Sequence, residues 1–355
     1  NLNIAYVGEN NQLVPAQVSA GHNVDLTTKD GEINVLGKLE ATAYDVTLTS
    51  VGGKISVTGD LDAGTYITAN TVTGDIDAKG DVTAKYNNVS LTSTSGNIYM
   101  TGDIDAGHDV IAETGGNGII FLNGYREGNV LTGAEVWNGN SDKNNVYAGH
   151  SVNLKSENTG MLVTGKVKAN EGDVNAVTKT GAIIFVGDVE AGTDIRGAAT
   201  QNGQIWYDGT TKAGQDVIAS TVQGDILYDK TVTAGRNVTA STDNGRISYN
   251  ASVVAGDSVL AVVTEGDIEV GDTIKTVTGD ATLTTGNGTI TVGEADGTGR
   301  INAGGNVTIN ATKENAADTN LVDILTSVES RNANVNVKTV NGNIHIGSNG
   351  ANTET

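Results

Sequence analysis

The chain has 355 residues and a net charge of −21, with 48 Gly, one Pro, two Phe, two Trp and no Cys. That acidic balance excludes a basic nucleic-acid footprint and adhesion to anionic membranes through a polybasic face, and the lack of cysteine excludes disulfides and thiolate metal sites. So few large side chains cannot fill a wide globular core, although stacked Val, Ile, Leu and Ala can fill a narrow one.

Taken in order, residues 1–20 read as a partial coil, with Leu13 and Val18 near two of the columns that follow. From there a pattern returns about every 21 residues: Ala20-Gly21-His22-Asn23-Val24, Ala106-Gly107-His108-Asp109-Val110, Ala148-Gly149-His150-Ser151-Val152, Ala191-Gly192-Thr193-Asp194-Ile195 and Ala213-Gly214-Gln215-Asp216-Val217. Degenerate copies fill the gaps at Asp45-Val46, Tyr66-Ile67, Asn88-Val89, Asn129-Val130 and Asp173-Val174. One unit holds three alternating apolar segments, Val24-x-Leu26, Ile33-x-Val35 and Leu39-x-Ala41, each the signature of a half-buried strand. Gly at the corners and β-branched residues between them exclude a helical solenoid. A propeller needs about 40 residues per blade. The expectation is all-β: a parallel β-helix, or β-solenoid, with three short strands per coil and roughly 15 coils.

A single solenoid over 1–355 is expected, with an irregular coil at 122–147, a loop at 311–320 and a frayed tail at 348–355. In the irregular coil Val130 keeps its place and the second strand comes early, at Val136. The residues saved form a polar loop, so Asn138, Asn140, Asp142, Lys143 and Asn144 are candidate loop residues. No charged or helical cap covers the first coil, and Asn1 is not Met, so the chain reads as a processed product or a piece of something longer.

Several columns carry candidate chemistry. The inward residues Phe185, Tyr207, Tyr228 and Tyr249 should stack as a ladder, their hydroxyls turned to a corner. In the outward column of the second strand, Tyr99, Phe121, Val163, Ile184, Trp206 and Leu227 form an apolar stripe, a candidate interaction face. Asp173, Asp194 and Asp216 repeat at one corner, where stacked carboxylates leave room for a weak Ca²⁺ site; no other cofactor is expected. His22, His108 and His150 share a corner position. Counted as four and two coils apart, they lie about 19 and 10 Å from one another, too far to share a metal. No matched pair of carboxylates appears, so no enzyme is expected; a polysaccharide-cleaving β-helix is the third-ranked reading.

The motif Val-x-Ala-Gly-x-Asp/Asn-Val-x-Leu, a Thr/Gly corner and Gly-Asp-Ile-x-Val resembles the filamentous haemagglutinin-type adhesins, large exoproteins exported by two-partner secretion. Asp103-Ile104-Asp105-Ala106-Gly107-His108-Asp109-Val110 and Gly224-Asp225-Ile226 carry the likeness, which covers essentially the whole chain. The resemblance implies a right-handed β-helix shaft on a bacterial cell surface or in the extracellular medium. Its expected partners are a cell-surface receptor, a glycan, a neighbouring cell or copies of itself, with no nucleic acid and no membrane insertion. The expected function is a non-catalytic structural and adhesive stalk. The alternative is a filament subunit that polymerises head-to-tail through open coil edges.

Overall fold

The computed structural model describes residues 2–7, 13–122, 145–294, 298–313 and 320–347. Every regular element among them is a β-strand. There are two compact units, Asn1–Gly192 and Thr193–Thr355. Each is a right-handed parallel β-helix with three strands per coil and seven first-sheet strands among the described residues, about 14 turns in total.

In the first unit the first sheet begins Val24–Thr28, Val46–Ser50, Ile67–Thr71 and Val89–Ser93, each strand pairing in register with its copy one coil on. The second sheet stacks Ile33, Ile55, Ile76 and Ile98, and the third Leu39, Leu61, Val82 and Ile104. These side chains are essentially solvent-free. Burying an aliphatic side chain of this size stabilises by about 1.5–3 kcal/mol, so these coils are held by files of aliphatic side chains.

The glycine that stands two residues before each second-strand Ile has a steric cause. A Cβ on Gly74 would lie 2.2 Å from the Gly53 carbonyl oxygen, and one on Gly96 would lie 2.1 Å from that of Gly74. Coils approach there too closely for any side chain. A buried hydroxyl clamps the same corner: Ser93 Oγ donates to the Gly74 carbonyl at 2.9 Å and accepts from the Gly96 amide at 2.8 Å. Ser50 and Thr71 repeat the pattern.

The second unit uses the same plan around bulkier cores. Tyr207, Tyr228 and Tyr249 are buried, with ring centroids 5.1 and 5.4 Å apart and planes within 10°. The residues on the same coils of the first sheet are Gly197, Ala219 and Ala240, all small. Large and small positions therefore alternate across the core, as close packing demands. A Cβ on Gly197 would come within 2.7 Å of the Tyr207 hydroxyl, which reaches inward across the core and not to a corner. The Tyr228 and Tyr249 hydroxyls have no hydrogen-bond partner among the described residues. Phe185 belongs to the first unit and is buried there.

Three expectations are corrected. Val110 pairs directly with Val152 and Ile104 with Val146, so both ladders step across 42 positions without the intervening rung expected there, and the total of about 14 turns agrees with the roughly 15 coils expected. Val130, Val136 and the candidate loop residues Asn138, Asn140, Asp142, Lys143 and Asn144 lie outside the described residues. Secondly, Val163 is a core residue, not part of the stripe: Met161 pairs with Ile120, Leu162 with Phe121 and Val163 with Leu122. Gly160 (φ +87°) sits immediately before Met161, one position closer than in other coils, and a one-residue slip exchanges inside and outside. Lastly, Leu2 and not Leu13 is the backbone partner of Ile33; Leu13–Pro15 runs antiparallel to Leu2–Val7, while Val18 pairs with Leu39 as expected.

Candidate functional site

The corner joining the third strand to the first is built by the Ala-Gly-x-Asx-Val motif. Its Ala ends the third strand inside the core, and its Val opens the first. The Gly permits close stacking: a Cβ on Gly149 would lie 2.1 Å from the Gly107 carbonyl oxygen. The Asx side chain then accepts the backbone amide of its counterpart one coil on. Asn88 accepts from Asp109 at 3.1 Å, Asp109 from Ser151 at 2.9 Å, Asp194 from Asp216 at 3.0 Å and Asp216 from Asn237 at 3.0 Å. The recurrent Asx is thus a hydrogen-bonded ladder that satisfies amides a corner would otherwise leave bare. Similar ladders run through Asp75 and Asn97, and through Asp60, Asp81 and Asp103, at the other two corners.

The variable residue of the motif points outward. In the first unit six successive coils place a ring in that slot or next to it: His22, Tyr44, Tyr66, Tyr86, His108 and His150. Tyr44, Tyr66 and Tyr86 are 48, 44 and 63% exposed. His22 stacks on Tyr44 at 5.0 Å with planes 10° apart, and His108 on His150 at 4.9 Å and 16°. Lys85 Nζ lies 4.9 Å above the Tyr86 ring.

His108 and His150 are therefore one rung apart, which corrects the two-coil separation expected from sequence counting. His108 Nδ1 lies 2.9 Å from Asp109 Oδ2, and His150 Nδ1 lies 3.0 Å from Oδ1 of the same carboxylate. Ser151 Oγ is 3.0 Å from His150 Nδ1, and the Ser151 amide fixes Asp109 from behind. Partial burial works against the Asp109 charge, but the Ser151 amide and the two imidazoles more than offset it, holding the carboxyl below its ordinary range. Both imidazoles are about half exposed, so the cluster opens to solvent.

The other candidate residues fall out as follows. Tyr99, Phe121, Leu162 and Ile184 form a continuous outward column in the first unit, while Trp206 and Leu227 form one in the second that ends at Ser248. This is not an open face: Phe121 is 5% and Leu162 8% exposed, and the other four are half-buried. Trp206 Nε1 donates to Asp229 Oδ2 at 2.7 Å. At the corner of the proposed Ca²⁺ site, Asp194 is bonded to Arg196 and Asp216 to Arg236, so guanidinium groups supply the counter-charge there. Sequence reasoning noticed the three histidines of the corner slot and missed the tyrosines between them. The signal was present in the degenerate motif copies, where Tyr44 occupies the slot and Tyr66 and Tyr86 flank it.

Comparison with known proteins yields no matching family model, no matching curated protein and no matching solved structure.

Proposed function

We propose that the chain is a non-catalytic structural and adhesive segment of an extracellular bacterial exoprotein, of the two-partner-secretion type its repeats resemble, and that it contacts glycans through the ring-bearing corner of its first unit. The carrying observation is the file of exposed rings from His22 to His150, one per coil on a rigid scaffold. Tyrosine there combines an apolar face with a polar tip, which suits the flat C–H face and the hydroxyls of a sugar ring. The two stacked pairs, His22 with Tyr44 and His108 with His150, follow the coil spacing of about 4.8 Å, with Tyr66 and Tyr86 on the coils between them, so an extended saccharide meets rings on successive coils. Coils add length without requiring a new core, which suits a stalk.

The test is binding of the whole chain to a panel of immobilised glycans, with a variant carrying Tyr44→Ala, Tyr66→Ala and Tyr86→Ala. At least a tenfold loss of binding, with thermal unfolding little changed, is the expected result. Equal binding by the variant sinks the reading. Growth of sedimenting species with concentration would favour the head-to-tail filament instead.

A further inference from the structure

We infer that His108, Asp109 and His150 form a binding site for one divalent transition-metal ion of the zinc, nickel and copper class. Donor atoms of the three residues all lie within 4.8 Å of one another, the only such group of His, Cys, Asp or Glu among the described residues. Two imidazoles and one carboxylate match the donor preference of these ions, and three protein ligands leave a further position for water or an outside ligand. Calcium is a poor match, since it takes six to eight oxygens, and one carboxylate beside two imidazoles cannot supply them.

The fold does much of the positioning. His108 and His150 are held at equivalent corner positions on paired coils, by the His150 amide donating to the His108 carbonyl at 2.8 Å. Their rings are parallel and aligned, and both present Nδ1 to one carboxylate. That carboxylate is oriented by the Ser151 amide, the kind of outer contact that fixes a metal ligand. A bound ion replaces the two imidazole–carboxylate contacts with coordinate bonds from the same atoms or from Nε2 after a ring rotation. Half exposure of both rings leaves an entry path.

The site shares His108 and His150 with the ring file but does not rest on the glycan reading, and it is tested without glycan. Isothermal titration of the whole chain with Zn²⁺ and with Ni²⁺ should give one saturable site per chain. Affinity should fall at least tenfold in each of His108→Ala, His150→Ala and Asp109→Asn, and stay unchanged in His22→Ala and His345→Ala. Histidine ¹⁵N shifts should move for His108 and His150 alone, and circular dichroism should show the variants folded. Lack of saturable binding by the parent chain overturns the inference. So does binding that survives His150→Ala, or binding of Ca²⁺ as tight as that of Zn²⁺.

Discussion

The two units share one backbone plan and put their rings on opposite sides of it. From His22 to His150 exposed Tyr and His stand in the corner slot or beside it, while the second-strand cores of that stretch are aliphatic or Met. In the second unit the corner slot reads Thr193, Gln215, Arg236, Asp257 and Gly279, and the tyrosines are inside. The same residue type therefore serves surface chemistry in one unit and volume filling in the other. What decides is its position relative to the strand: alternation sends every second residue of a strand inward, whereas a corner residue has only solvent to face.

Alkali should separate the units most strongly. Burial raises the phenol pKa values of Tyr207, Tyr228 and Tyr249 above the ordinary value. The unfolded phenols ionise near 10, so the stability gained by keeping them neutral is fully present below about pH 10 and is lost as the pH rises through it toward the folded values. Each phenol should cost about 1.4 kcal/mol per pH unit in that window. Tyrosinate absorbance should show a delayed, cooperative component that disappears when all three are replaced by Phe. A component that persists in the Phe variant would contradict the assignment.

Substitution comes next in size. Tyr228→Ala should destabilise the second unit by about 3–5 kcal/mol, because neighbouring coils cannot collapse into the space. Tyr44→Ala on the exposed corner should stay within about 0.5 kcal/mol. Tyr228→Phe should run the other way: its hydroxyl is buried without a partner among the described residues, so removal should be neutral or slightly stabilising. Denaturant unfolding followed by hydrogen exchange of each unit measures all three. A large loss for Tyr228→Phe would show that the hydroxyl has a partner after all.

Most of the fold was legible because each coil repeats two cues of different physical origin. The β-branched column marks the core, and the glycine two residues ahead marks carbonyl contact between coils; together they fix register from Ile33 to Ile120 and again from Ile183 to Ile290. Register failed where those cues separate. Gly160 lies next to Met161, so counting two residues on from glycine chose Leu162 as the inward residue and turned Val163 outward. The candidate site was obscured by a related ambiguity. Asn129-Val130 has the form of an Asx-Val corner, and its spacing suits a coil, so the count from His108 to His150 came to two rungs. Short motifs of common residues cannot distinguish a true rung from an excursion; pairing between the flanking strands can.

That 42-residue step is the hinge of the account, since it creates the imidazole pair and completes the ring file. It is tested most directly by nuclear Overhauser contacts between valine methyl groups in the whole chain. Strong contacts from Val110 to both Val89 and Val152 are predicted, as the paired register requires. Contacts running instead from Val110 to Val130 and from Val130 to Val152 would restore the extra coil and take the site apart.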